Sequence, residues 1–191
     1  MNRRNLMKMI PPGLLLPGQI LSDFSWEHEF FNESLRSSSQ QQKIAELFKK
    51  AIIIDGLVIS RDWNEESFDA LTKSGYTGFG TSLASGSLKS ALKSLTEWQK
   101  RIEINSDKLI FAKTADDFTR AKKENKVAIL FGFQNATMIE KSIDNIDLLY
   151  QAGTRWIQLT YNQRNLLGDG CTERTNAGLS DFGIEAVERM N

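Results

Sequence analysis

The sequence predicts a parallel α/β fold, because short apolar runs alternate along the chain with segments whose apolar residues recur at helical spacing. The alternation is clearest in the last third, where apolar runs at 127–133 and 156–161 flank a helical segment at 142–152. The chain has 191 residues, is 40% apolar and carries no formal net charge. That composition can bury a core and excludes a strongly charged nucleic-acid binder.

Helices and strands are predicted to alternate from residue 43 onward. The predicted helices lie at 43–50, 64–74, 87–104, 115–125, 142–152 and 181–190, and the strands at 51–56, 76–82, 108–112, 126–133 and 155–161. In the third helix the apolar residues form one stripe that ends near Trp98, so this tryptophan is expected in the core. A capping box at Thr114, helix starts at Ser142 and Ser180, and a helix end at Gly153 support these bounds.

Five strand and helix units of this kind fit either a (β/α)8 barrel or an open doubly wound sheet. No GxGxxG follows the first strand, where residues 54–57 read IDGL, and this weighs against a dinucleotide-binding sheet. A barrel needs eight strands and about 250 residues. The barrel interpretation therefore predicts that the chain is an N-terminal portion of a longer protein, with about five βα units present.

The start of the chain is similar to an export signal. Arg3, Arg4 and Lys8 precede a weakly apolar segment at 9–21, so residues 1–22 are predicted as a twin-arginine-like signal that directs the protein to the periplasm. Prolines interrupt that segment, and a cytoplasmic protein is the alternative. Residues 23–42 are predicted as a polar linker and residues 43–191 as the folded part. No apolar run is long enough for an integral membrane span.

Several single residues have two interpretations. Cys171, the one cysteine, excludes an intrachain disulfide. His28, the one histidine, lies between two glutamates of the linker and is interpreted as solvated. Asp55 ends the first strand, where it is either a catalytic carboxylate or, as we favour, part of an Asx-type turn. The carboxylates in the loop 168–174 are expected to be solvated at the rim of a site.

Four segments carry a family resemblance: DNIDLLYQAGTR at 144–155, IQLT at 157–160, GLSDFG at 178–183 and VERMN at 187–191. They resemble the membrane (renal) dipeptidase family of zinc peptidases, and the similarity is weaker over 52–126. The resemblance implies a (β/α)8 barrel of the metal-dependent hydrolase type with two zinc ions at the carboxyl ends of its strands.

The family's metal ligands are replaced in this sequence. The resemblance places Leu57 and Ile59 where the family has a His-x-Asp pair, Gln134 where it has a bridging glutamate, and Tyr161 where it has a substrate-contacting histidine. Leucine and isoleucine have no lone pair to donate, and glutamine is neutral. No metal ligand is therefore assigned here. At most one zinc ion is expected, with ligands mainly beyond residue 191.

The resemblance implies a hydrolase that cleaves a dipeptide or a related small amide by zinc-activated water. The alternative is a catalytically degenerate barrel that binds a small molecule or regulates, and a phosphate-binding barrel is a weaker third option. Gln134, Asn135 and Tyr161 are predicted to contact the substrate, since they lie at predicted strand ends. For Gln134 and Asn135, simple bonding to loop backbone is equally open. The expected partner is a small peptide-like substrate and not a nucleic acid, and a homodimer is left open.

Overall fold

The computed structural model describes residues 38–59 and 63–191, and the side chains from residue 41 onward. The predicted signal segment, His28 and most of the predicted linker lie outside this part. Helix α1, Ser38–Lys50, begins five residues before its predicted start, so the last residues of the predicted linker, 38–42, are helical. The reason is local: glutamine is a good helix former, and the helix contains no glycine or proline.

The chain divides into two compact units after Leu47, and the unit from Phe48 to Asn191 holds the described sheet. Its strands are β1 (Ile54–Asp55), β2 (Gly78–Ser82), β3 (Leu109–Ala112), β4 (Val127–Phe133) and β5 (Thr154–Ile157). Its helices are α2 (Glu65–Ser74), α3 (Leu88–Ile104), α4 (Ala115–Glu124), a 3-10 turn (Thr137–Ile139), α5 (Asp144–Gln151) and α6 (Asp181–Met190). Each predicted strand and helix is confirmed, with differences at the ends.

All strand pairs are parallel, but the strand order is not the order in the chain. β2 pairs with β1 on one edge and with β4 on the other. The remaining edge of β4 is shared: β3 pairs with residues 127–130, and β5 pairs with residues 131–133. At the carboxyl end the strands therefore follow one another as β1-β2-β4-β5, while β3 lies beside the amino-terminal half of β4.

Alternate residues of the sheet face two different layers, as the strand period requires. Phe79 and Phe131 lie on the face of the sheet that packs against α2, α3 and α5. We call this side of the sheet the outer face. Trp63 stacks on Phe79 with ring centroids 5.4 Å apart, and Trp98 meets Phe131 edge to face at 6.2 Å. Trp98 is 6% exposed, so its predicted place in the core is confirmed.

The opposite face of the sheet, which we call the inner face, presents mainly small residues. These residues form two rows, Gly78, Gly80 and Ser82 on β2 and Ala128, Leu130 and Gly132 on β4. Helix α4 covers the amino-terminal half of this face, where its Phe118 and Ala121 pack with Ala128. A Cβ atom on Gly78 would lie 2.5 Å from the ring of Phe118, so this contact requires glycine.

All five strands are shorter than predicted, and the difference is largest for β1 and β5. Residues 51–53 lie outside the ladder, since Ile53 bonds instead with Thr77, leaving β1 with two residues in place of 51–56. β5 ends at Ile157 and not at 161, because after one further bond, from Gln158 N to Phe133 O, the chain turns away. Leu159 then packs with the apolar cluster between α5 and α6.

The helix-end signals are mostly confirmed. The Asp117 carboxylate accepts a hydrogen bond from the backbone N–H of Thr114, and Ser180 Oγ accepts one from Gly183 N. Gly153 follows α5 with a φ of +109°, a conformation that favours glycine. The predicted helix start at Ser142 is wrong: α5 begins at Asp144, and Ser142 contributes only its carbonyl, to Asn145 N.

Candidate functional site

Gln134 directly follows β4 at the carboxyl end of the sheet. Its backbone N–H donates to Ser82 Oγ over 3.2 Å, which joins the ends of β4 and β2. The residue is half-buried, and its side-chain amide has no hydrogen-bond partner among the described residues. Its predicted position at a strand end is confirmed, and the amide keeps both a donor and an acceptor for a ligand.

Asn135 is held by a residue that sequence reasoning did not single out. Asn165 donates from Nδ2 to Asn135 Oδ1 over 2.8 Å and to the carbonyl of Leu159 over 2.7 Å. The Oδ1 atom of Asn165 accepts from Leu167 N over 2.8 Å. Asn165 thereby fastens the loop after β5 to the segment after β4. Its sequence context, a polar loop rich in glycine and asparagine, contains no spacing that would have identified it.

Tyr161 is not at a strand end, and this part of its prediction is wrong. It lies four residues beyond Ile157, the last residue of β5, and its side chain is 47% exposed. Its carbonyl accepts from Cys171 N over 2.8 Å, so Tyr161 belongs to the loop that follows β5. Gln134 and Asn135 are chain neighbours, and Asn165 joins this loop to Asn135.

The loop after β5 is organised around Asp169. Arg164 Nε donates to Asp169 Oδ1 over 2.5 Å, and Ala177 N donates to Oδ2 over 2.8 Å. Bonding to Arg164, followed by the Ala177 N–H, holds the pKa of the Asp169 carboxyl below its ordinary value. The Asp169 side chain is 6% exposed. The expectation that this carboxylate is solvated is therefore wrong. The Asp169 carboxylate is covered and connects two parts of the loop by hydrogen bonds.

Asp55 occupies the turn that the sequence favoured. Its Oδ1 atom accepts from Leu57 N over 3.0 Å, two residues along the chain, as in an Asx turn. Its Oδ2 atom lies 3.3 Å from the hydroxyl of Tyr76, which donates to it. Both carboxylate oxygens thus accept hydrogen bonds from residues of the connection between β1 and β2. Cys171, for its part, is exposed in the loop after β5.

The three positions that the resemblance aligned with metal ligands, Leu57, Ile59 and Gln134, do not have the chemistry of a two-zinc centre. Leu57 and Ile59 follow β1, and Ile59 is 66% exposed. Neither has a donor atom, and Gln134 offers only a neutral carbonyl. Within residues 38–59 and 63–191, no three histidine, cysteine, aspartate or glutamate side chains lie close enough to hold a metal ion. Within the same ranges, no helix is both long and apolar enough to cross a membrane.

Parallel strands backed by helices, with polar side chains at their carboxyl ends, define an α/β protein with a parallel sheet. Solved structures agree. An amidohydrolase from Pseudomonas aeruginosa superposes with a TM-score of 0.73 at 38% identity, covering 76% of this chain and 45% of its own. The probable dipeptidase PvdM of the same organism gives a TM-score of 0.63 at 17% identity over 78% of this chain and 46% of its own, which supports the fold.

Sequence comparison identifies the family. Residues 39–191 match the membrane dipeptidase family, peptidase family M19. Dipeptidase tcpJ of Claviceps purpurea is 26% identical over 61% of this chain, and dipeptidase verJ of Clonostachys rogersoniana is 30% identical over 55%. The chain belongs to the membrane dipeptidase family. The matched part spans 28% of each of these two relatives.

Proposed function

We propose that this protein is a dipeptidase-like hydrolase that acts on a dipeptide or a related small amide. The observation that carries the proposal is the family match over residues 39–191, which includes the carboxyl ends of all the described strands. In parallel α/β folds, ligands bind at that end of the sheet. The half-buried Gln134 amide lies there without a partner among the described residues.

The chemistry of the three predicted contact residues suits a peptide bond. A primary amide such as Gln134 can donate to a carbonyl oxygen and accept from an N–H group at the same time. Asn135 uses its Oδ1 atom for Asn165, and this leaves its Nδ2 group as a donor. The exposed Tyr161 side chain on the loop after β5 is proposed to contact the distal part of the substrate.

Zinc-activated water is the chemistry that the family resemblance implies, but the described residues do not supply its ligands. No catalytic step is therefore assigned to a metal ion here. The residues of this chain are proposed to orient the scissile amide: Gln134 binds it, and Asn165 fixes the position of Asn135 beside it. If an ion takes part, its ligands are expected to come mainly from residues other than the described ones.

The second candidate function is a binding protein that has kept the barrel-type fold without hydrolysis. It is supported by the absence, among the described residues, of any three histidine, cysteine, aspartate or glutamate side chains close enough to hold a metal ion. It is supported also by Leu57 and Ile59, side chains without lone pairs at the positions that the resemblance aligns with two ligands. Both functions need the same amide-binding contacts at Gln134. They differ in whether the peptide bond is broken.

The test is incubation of the purified full chain with a panel of dipeptides, with and without added zinc, followed by mass spectrometry of the products and calorimetric titration of the intact dipeptides. Hydrolysis that Gln134→Leu weakens at least tenfold supports the proposed enzyme. Saturable binding without products supports the binding protein. Neither hydrolysis nor binding in any condition would overturn both. Gln40→Leu, a change outside the sheet, is the control variant.

Export is proposed on the twin-arginine-like residues alone. Replacing Arg3 and Arg4 together by lysine is expected to keep a fused reporter inside the cell, because the signal depends on the arginine pair and not on charge. An unchanged distribution of the reporter would contradict export by this route.

A further inference from the structure

Trp156 of β5 lies on the inner face of the sheet, because the strand register shifts just before it. Thr154 pairs with Phe131, while Trp156 pairs with Gly132, so that one extra residue of β5 is inserted between the two pairs. Residues paired in a parallel ladder share a face. Thr154 therefore faces the outer layer with Phe131, and Trp156 faces the inner side with Gly132, although simple alternation would place both on one face.

Gly132 makes room for the indole ring, and Gly80 lies beside it. A Cβ atom on Gly132 would lie 2.0 Å from Cε2 of Trp156, whereas one on Gly80 would lie 3.4 Å from its Nε1 atom, an ordinary contact distance. The ring thus extends from β5 across β4 toward β2. Its Nε1 atom is buried and has no hydrogen-bond partner among the described residues. Packing against the glycine backbone, and not a hydrogen bond, holds the ring in this place.

The ring separates two levels of the inner face. Below it, toward the amino ends of the strands, Phe118 of α4 packs on Gly78. At the carboxyl end of the sheet, Ser82 is paired with Gly132, the residue on which the ring is seated, and Gln134 lies two residues beyond Gly132. Gln134 N donates to Ser82 Oγ there. The indole therefore lies directly beside the candidate site.

We propose that Trp156 is a specificity-determining residue: its ring forms the floor of the candidate site and restricts a ligand bound at Gln134 to small side chains. This inference rests on the proposed function for the identity of the ligand, a dipeptide or small amide. A floor of this kind discriminates by size, and one extra or missing methylene group in an apolar pocket changes relative rates by about 10- to 200-fold. Removing the ring exposes the space above Gly132 and Gly80.

The experiment compares the parent with Trp156→Ala in two assays. In the first, indole is the probe: calorimetry should show one saturable site in the variant and none in the parent, with a rise in the melting temperature of the variant. In the second, dipeptides with alanine and with phenylalanine side chains are compared in binding or hydrolysis. The parent should prefer the small one, and the variant should lose that preference by about tenfold or more.

Trp98→Ala is the matched control, since Trp98 packs on the outer face against Phe131. It removes the same ring but should leave the size preference unchanged. Trp156→Phe covers the case in which the alanine variant does not fold, and it should shift the preference in the same direction by less. An unchanged preference in a folded Trp156 variant that also fails to bind indole overturns the inference. If the parent neither binds nor cleaves any dipeptide, the proposed function fails, and the indole assay still decides whether the floor exists.

Discussion

Asn165 and Asn135 are joined side chain to side chain, with Nδ2 of Asn165 2.8 Å from Oδ1 of Asn135. The bond links residues that are 30 positions apart in the chain. It holds the start of the loop after β5 against the segment that carries Gln134. The position of Asn135 in the candidate site thus depends on Asn165, a residue of the neighbouring loop.

Asn165→Asp should destabilise the fold by about 1–3 kcal/mol, because a carboxylate cannot donate to Asn135 or to the carbonyl of Leu159 and leaves both acceptors without a donor. Urea denaturation measures the loss. Asn162→Asp, an exposed position in the same loop, is the control and should cost much less. Equal losses in the two variants would mean that the link to Asn135 contributes little.

Gly132→Ala should cost about 1–3 kcal/mol, because the added methyl group would overlap the indole of Trp156. Combining it with Trp156→Ala should remove that overlap, so the two losses should not add. Thermal unfolding of the two single variants and the double variant gives the coupling. Gly86→Ala, where the nearest atom is 3.8 Å away, is the control. Strict additivity would show that the ring is not seated on Gly132.

The Asp169 ion pair predicts a pH dependence of stability. Because the pKa of this carboxyl is lowered in the folded protein by Arg164 and the Ala177 N–H, its contribution is fully present above the unfolded-state value, about 3.9, and is lost as the pH falls through the folded value. Asp169→Asn should therefore be less stable than the parent at neutral pH, with a difference that shrinks below about pH 4.

The measurement is the free energy of unfolding at several values between neutral pH and about pH 3. Glu188→Gln, on the exposed side of α6, is the control and should follow the parent at all of them. A difference between parent and Asp169→Asn that is constant across this range would show that the charge on Asp169 is not what stabilises the loop.

Variants of Asp55 distinguish a structural role of this residue from a catalytic one. Asp55→Asn keeps an oxygen that can accept from Leu57 N, so we expect stability near that of the parent, whereas Asp55→Ala should lose about 1 kcal/mol. If dipeptide hydrolysis is found, Asp55→Asn should retain most of it. A loss of activity beyond a hundredfold without a loss of stability would restore the catalytic interpretation.

The correspondence of three positions with the family's metal centre can be tested by restoring it. Leu57→His, Ile59→Asp and Gln134→Glu together supply one imidazole and two carboxylates after β1 and β4, which end at the same edge of the sheet. The triple variant should bind more zinc than the parent by elemental analysis, and Gln134→Glu alone should add little. No gain in the triple variant would remove the basis for comparing these positions.

The helices and strands were predicted well from the sequence, because the patterns that mark helices, turns and helix ends depend on residues close together in the chain. The stripe that ends near Trp98, the turn at Asp55 and the helix end at Gly153 are all such cases. β3 shows the limit. Its apolar run identifies a strand, but nothing within it indicates that β2 will pair directly with β4 and leave β3 beside the first half of β4.

The site was predicted less well, because its organisation depends on contacts between distant segments. Gln134 was found through the end of its strand, whereas Asn165 is defined only by a partner 30 residues away. Asp169 has the sequence surroundings of a solvated loop residue, and only the folded loop shows it covered and paired with Arg164. Trp156 faces inward owing to a register shift that no apolar pattern encodes.

Helix α4 limits the directions from which a ligand could approach the inner face of the sheet. Its Phe118 closes off the amino-terminal level of the inner face at Gly78, and the Trp156 ring occupies the next level. Two aromatic rings, one from α4 and one from β5, thus fill the part of this face that lies before Gln134. A ligand of the proposed site would therefore approach Gln134 from the carboxyl ends of the strands.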